Sequence, residues 1–140
     1  MVLIWLVCFV SCTAAASSQQ YIAVRGRLVC GTTPLSNTTV KLSRRQLIGS
    51  STIAETRTRH DGSFQVEGGL SSLFTMDARL KITHNCKDRW PCKRKVDIKM
   101  PRLYIYRGKG PLQWLEAGTL DMAFNYPDEK QFCTRPGVNR

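Results

Sequence analysis

Residues 77–100 read "DARLKITHNCKDRWPCKRKVDIKM", two alternating segments around a short loop that carries a cysteine at each end. With Cys86 set opposite Cys92, counting outward pairs His84 with Arg94, Ile82 with Val96, Leu80 with Ile98, and Ala78 with Met100. Three of these four pairs are apolar and share one face. The other face pairs Thr83 with Lys95, Lys81 with Asp97, and Arg79 with Lys99. Successive side chains on a strand point to opposite faces, so a slip of one residue would spoil both faces together. The pattern predicts an antiparallel hairpin with a Cys86–Cys92 disulfide at its neck. By loop-closure entropy such a short ring contributes about 2 kcal/mol.

The same short-range alternation runs through the rest of the chain, and long helical periodicity is absent. "YIAVRGRLV" (Tyr21 to Val29) alternates and contains Gly26, a candidate bulge. "TTPLSN" is turn chemistry and "TTVKLS" a strand. "TIAETRTR" and "SFQVE" flank the tight turn "HDG" as hairpin partners. "ARLKITH", "RKVDIKM", "LYIY" and "TLDMAF" follow. Seven to eight short strands at this spacing predict an all-β protein, an antiparallel β-sandwich. One short helical turn is compatible with the stretch from Gly68 to Asp77.

The N-terminus, "MVLIWLVCFVSCTAAASSQQ", has an apolar run from Val2 to Val10 followed by Ala14-Ala15-Ala16. That is the layout of a secretory signal peptide, although no Lys or Arg precedes the run. The run is too short to span a bilayer as a helix, which needs about 20 residues, and no other stretch suits a transmembrane anchor. The expectation is a signal peptide over residues 1–16 and one secreted, extracellular domain over 17–140. Cys8 and Cys12 leave with the signal, so Cys30, Cys86, Cys92 and Cys133 remain. An even count in a short secreted chain reads as two disulfides. With Cys86–Cys92 assigned by the hairpin, exclusion pairs Cys30 with Cys133.

The 21 Lys and Arg outnumber the 10 Asp and Glu, giving a net charge of +11, all of it beyond residue 16. Secretion argues against nucleic acid. The expected partners are extracellular and acidic: phospholipid head groups, glycosaminoglycans or acidic proteins. Within the hairpin loop Lys87, Arg89, Lys93 and Lys95 surround Trp90, an aromatic with no evident core position. This cluster is the candidate anion- and partner-binding site, with Arg79 and Lys99 on the same outward face. Trp90 suits a membrane–water interface or a pocket lid. Asn37-Thr38-Thr39 is a glycosylation sequon in a loop, with Asn37 the acceptor.

Other chemistry finds little support. Structural zinc needs four closely spaced ligands, and only His84 stands near Cys86 and Cys92. A histidine satisfied at the sandwich edge suits His84 better. An oxidised cysteine pair offers no thiolate nucleophile, and G-x-S-x-G, H-E-x-x-H and P-loop patterns do not occur. No catalytic residue, metal or cofactor is expected.

In order and spacing, "VRGRLVCG", "TTVKL", "TRHDGSF", "LKITHNC", "PCKRKVDIKMP", "YIYRG", "AGTLDM" and "DEKQFC" resemble the nematode transthyretin-like family. The resemblance covers nearly all of the chain beyond the signal. It implies a secreted, prealbumin-like β-sandwich. Two departures limit what is carried over. Where the family usually has an acidic stretch between its second and third strands, this chain has "SRRQLIGSSTIAE". Fold-related purine-catabolic hydrolases end in Tyr-Arg-Gly-Ser, whereas Tyr106-Arg107-Gly108 is followed by Lys109 and a further strand.

Taken together, the residues point to a secreted, non-enzymatic binding protein that meets an anionic surface or extracellular partner through its basic hairpin. A carrier of a small apolar ligand is the alternative and would need an apolar channel. A hydrolase would need two histidines and an arginine converging in one cleft. Oligomeric state is not legible in the sequence.

Overall fold

The computed structural model describes residues 18–88, 91–107 and 113–133. The expected signal peptide, 1–16, lies outside the described residues, as do Arg89 and Trp90 of the candidate site. Among the described residues ten strands form in chain order: β1 (Ser18–Cys30), β2 (Thr33–Pro34), β3 (Thr39–Arg45), β4 (Ser50–Arg57), β5 (Ser63–Ser72), β6 (Asp77–His84), β7 (Lys93–Lys99), β8 (Tyr106–Arg107), β9 (Trp114–Asp121) and β10 (Lys130–Phe132). They build two sheets. In the first, β1 is central, flanked by β5 and by β8 and β9, with β2 at its C-terminal end. The second has the order β10-β7-β6-β3-β4.

The β-sandwich expected from the alternation is present. Pairing is antiparallel except between β1 and β9, which run parallel. That ladder shifts register between Arg25 and Gly26. Glu116 and Gly118 face consecutive residues of β1, which leaves Ala117 as the extra residue. Gly26 is required there, since a Cβ would come within 2.8 Å of the Gly118 carbonyl oxygen.

The hairpin register is the one expected: Arg79↔Lys99, Leu80↔Ile98, Lys81↔Asp97, Ile82↔Val96, Thr83↔Lys95 and His84↔Arg94. Along β6 the even-numbered residues Ala78, Leu80, Ile82 and His84 are buried, and the odd-numbered ones are partly exposed. These inward side chains meet Val40 and Leu42 of β3, Val96 of β7, Ile22, Val24 and Leu28 of β1 and Phe64 and Val66 of β5 in one core. Burying a side chain of this kind stabilises the fold by about 1.5–3 kcal/mol.

Three sequence expectations are corrected. The helical turn falls at Arg102–Tyr104, a single 3-10 turn after Pro101, whereas Gly68 to Ser72 continue β5. "LYIY" is accordingly not one strand, and pairing resumes only at Tyr106. The last strand of the first sheet begins at Trp114 and ends at Asp121, and Met122 enters the core from the turn that follows.

The disulfide pairing is the third and largest correction. Cys30 is bonded to Cys86, and Cys92 to Cys133. Cys86 and Cys92 do lie on opposite arms, but the ladder ends at His84↔Arg94 and both cysteines sit beyond it. The chain turns at Asn85–Asp88, closed by the Asp88 N–H on the Asn85 carbonyl at 3.0 Å with Lys87 at φ +59°. The Cys86 side chain thus points into the core, toward the end of β1. Cys92 stays at the sheet edge, where β10 runs alongside β7 and delivers Cys133. Each bond ties two sheets or two strands rather than a loop neck. Rings of 56 and 41 residues would each contribute about 4 kcal/mol by the chain-entropy estimate.

Candidate functional site

β7 separates two environments by its pleat. Arg94 and Val96 point inward, whereas Lys93, Lys95 and Lys99 point out from the second sheet.

On the inner side the Arg94 side chain is buried, and its five N–H groups all have acceptors. Nη1 donates to the carbonyls of Cys86 (3.0 Å) and Met122 (2.8 Å). Nη2 donates to the Phe124 carbonyl (2.9 Å) and the Asn125 side chain (3.1 Å), and Nε donates to Glu129. That hydrogen bond holds the Glu129 carboxyl below its ordinary range, and the second carboxylate oxygen accepts the Tyr126 N–H at 3.0 Å. Beside it lies His84, whose Nδ1 accepts the Cys86 N–H at 3.0 Å and whose buried Nε2 has no hydrogen-bond partner. Burial, reinforced by the Arg94 charge, lowers its pKa to about 4. His84 is therefore only half satisfied, which differs from the fully satisfied histidine expected. Every donor of Arg94 is thus committed within the chain. His60 is exposed on the turn between β4 and β5.

On the outer side the second sheet brings lysines into direct cross-strand opposition. Lys41 of β3 faces Lys81 of β6, and Lys95 of β7 faces Lys130 of β10. None of the four makes an ion pair among the described residues. Lys81 Nζ donates to Ser50 Oγ at 2.8 Å, and Lys95 Nζ lies 5.6 Å from the centre of the Phe132 ring. Ser43, Ser50, Thr52 and Thr83 line grooves of about 650 and 260 Å³ that share Lys81 and Lys95, the larger of which is also lined by Asp97, Asp128 and Glu129. Arg79 belongs to this face by register but adds little free charge. Its guanidinium stands 3.6 Å from Asp77, 3.7 Å from Asp97 and 3.9 Å from Asp128.

The structure thus redistributes the cluster expected at the hairpin tip. Lys93 and Lys95 project from the outer face of β7. Lys87 is exposed on the turn near Asp121, whose carboxyl its charge helps to hold down after the hydrogen bonds from Ala123 and Gly31. Arg89 and Trp90 lie outside the described residues. The sequence reading missed Lys41, Lys81 and Lys130. Each sits at an outward position of an alternating segment, but nothing local says that β3 and β6, or β7 and β10, are neighbours. Asn37 is exposed at φ +52° in the loop before β3, its Oδ1 within 3.4 Å of Arg57. The space between the sheets, where a carrier would hold an apolar ligand, is filled by the side chains of the core.

These features define a disulfide-stapled β-sandwich domain with one cationic outer sheet. The model of the transthyretin-like family, described as TTR-52, matches residues 25–101. Transthyretin-like protein 5 of Caenorhabditis elegans is 34% identical over 95% of this chain and 99% of its own length. Transthyretin-like protein 33 of the same nematode is 32% identical over 89% of this chain and 91% of its length, and transthyretin-like protein 46 is 32% identical over 84% and 68%. The chain belongs to the transthyretin-like family. These relatives are named for their fold and not for a reaction. A 9R-lipoxygenase from Cyanothece matches with a TM-score of 0.41 and 16% identity, over 77% of this chain but only 18% of that one, and carries no argument.

Proposed function

We propose that this chain is a secreted, non-enzymatic binding protein whose ligand is an extracellular polyanion held on the outer face of the second sheet. The observation that supports the reading is the direct opposition of Lys41 to Lys81 and of Lys95 to Lys130, in a row where Glu55 stands across from Lys41 and Asp97 across from Lys81 but none of the four lysines makes an ion pair among the described residues. Like charges directly across a strand pair are destabilising. Sulfate or phosphate groups would relieve that repulsion, and the neighbouring hydroxyls would donate to the same oxygens. The chemistry is shared by glycosaminoglycans, phospholipid head groups and acidic proteins. A flat array spread over adjacent strands best suits a sulfated glycan, whose charges repeat along a chain. Lys93 and Lys99 extend the array, and Lys87, Arg89 and Trp90 of the hairpin loop adjoin its end in sequence. Secretion rests on the apolar run and Ala14-Ala15-Ala16 at the N-terminus, and exposed Asn37 is the proposed glycan acceptor.

Heparin chromatography tests the reading. Wild type should be retained and elute at higher salt than a variant carrying Lys41→Ser, Lys81→Ser, Lys95→Ser and Lys130→Ser, because exposed electrostatics weaken as ions shorten the Debye length. A parallel Lys87→Ser/Arg89→Ser variant should shift less. If the four-lysine variant elutes with wild type while the loop variant does not, the hairpin tip is the surface instead. Expression in a eukaryotic host should yield protein that starts near Ser17 and loses mass on removal of N-glycans.

A further inference from the structure

The sequence holds two runs of consecutive basic residues, Arg44-Arg45 and Lys93-Arg94-Lys95. Paired basic residues are what processing proteases of the secretory pathway recognise, and the fold treats the two runs oppositely. Residues 93–95 lie in β7 between β6 and β10, with the Arg94 guanidinium buried and all its donors engaged. Arg44 and Arg45 end β3. Arg45 is the last rung of both ladders, across from Ser50 of β4 and Asp77 of β6. The β3–β4 ladder has by then shifted register between Leu42 and Ser43, which sets its last rungs apart from the regular pairing.

Beyond Arg45 the chain turns through residues 46–49, closed by the Gln46 N–H on the Gly49 carbonyl at 3.0 Å with Gly49 at φ +72°. Every residue from 45 to 52 is exposed, the longest such run among the described residues. Leu47 and Ile48 stand at the apex with relative exposures of 107% and 92%. Turn apices in water favour Gly, Asn, Asp and Ser, so this pair contributes nothing to folding. Ladder ends open at little cost in free energy, and exposed loop tips are where nicking concentrates. Opening this end breaks the turn hydrogen bond and the rungs at Arg44 and Arg45, and it moves no side chain of the core. A protease cleft holds its substrate extended, as residues 43–45 already are. Arg45 then fills the pocket for a basic side chain and Arg44 the subsite before it, while Leu47 meets the cleft beyond the scissile bond.

We propose that the Arg45–Gln46 bond is a processing site, hydrolysed by a serine protease specific for paired basic residues. Water adds across the peptide bond and leaves the Arg45 carboxylate and the Gln46 amine. That amine then attacks the side-chain amide carbon of Gln46, expels ammonia and closes a pyroglutamyl ring. Cys30 precedes the cut and Cys86 follows it, so their disulfide holds the two chains together. The inference rests on the secreted reading, because such proteases meet their substrates during secretion, and it is independent of what the lysine face binds.

Digestion of the purified native protein with a kexin-type protease tests it. The first cut should fall at Arg45–Gln46. Gels should then show one band without reductant and two with it. The fragment that begins at Gln46 should go on to lose the mass of one ammonia. Reduced, denatured protein should be cut at residues 93–95 as well. Arg44→Gln/Arg45→Gln should keep the unfolding midpoint and slow the first cut at least about tenfold. Wild type secreted from a eukaryotic host should contain the two-chain form, and the double variant should be secreted as one chain. A first native cut elsewhere, or equal rates for variant and wild type, would overturn the proposal. So would native protein that resists protease at levels that cleave the denatured chain at once. Secreted wild type that is wholly single-chain, although the purified protein is cut, would also overturn it and leave a hairpin open to proteases but unused.

Discussion

Arg94 and Glu129 form an ion pair inside the domain, and the guanidinium simultaneously bonds three backbone carbonyls and the Asn125 side chain. One side chain of β7 thereby pins both the turn at Cys86 and the whole segment from Met122 to Glu129. That segment has no regular structure of its own, so its backbone acceptors depend on this residue.

Arg94→Met should destabilise the protein by about 3–5 kcal/mol, because it leaves the Glu129 carboxylate and several buried acceptors without partners. Arg94→Lys should recover little of this, since an ammonium cannot span five acceptors in a fixed fork. Urea denaturation of both variants measures the effect. Losses below about 1 kcal/mol would show that water replaces the guanidinium without difficulty.

Non-reducing peptide mapping should find Cys30 linked to Cys86 and Cys92 linked to Cys133. Removing the Cys92–Cys133 bond with paired serines should free β10 at the sheet edge and lower stability by up to about 4 kcal/mol. The Cys30→Ser/Cys86→Ser variant should do more harm, since Cys86 is also part of the core.

Stability should fall as acid is added through the range from pH 6.5 to about 4. His84 titrates near 6.5 when unfolded but only at about 4 in the fold. Between these values the unfolded chain binds the extra proton, so stability rises with pH, by up to about 3 kcal/mol over the window. His84→Asn keeps an acceptor for the Cys86 N–H but cannot titrate. Its stability curve should be flatter across that interval than wild type, and parallel curves would assign the acid sensitivity to other groups.

Gly62→Ala should cost well over about 1 kcal/mol. Gly62 has φ +82°, and a Cβ there would come within 2.3 Å of the Leu28 carbonyl oxygen, whose backbone pairs with the loop. Gly31→Ala, at φ +66° with open space around it, should cost less. Thermal unfolding of the two variants compares conformational strain with and without a clash.

Register was legible because it is a local property. The period of two in "ARLKITH" and "RKVDIKM" places Leu80, Ile82 and Val96 on one face and Lys81, Lys95 and Lys99 on the other, and any slip would bury charge. The same alternation announced most of the strands, and Gly26 announced the break in the β1–β9 ladder. The 3-10 turn was not legible, because "LYIY" has strand composition and only the preceding Pro101 hints that the chain leaves the sheet.

By itself, then, the sequence determined that the chain is a two-layer β-sandwich of the transthyretin-like kind, with a hairpin whose pairing can be counted residue by residue. Only the tertiary structure decided which cysteines meet, which residues Arg94 holds, and which lysines stand opposite one another. Alternation specifies the face on which a side chain lies, but not which distant strand lies beside it. Cys86 bonds Cys30 because an inward-turning residue at the end of β6 meets the end of β1, and Lys41 faces Lys81 because β3 enters the sheet next to β6. Contacts over 40 or 56 residues are set by how both sheets close on one core.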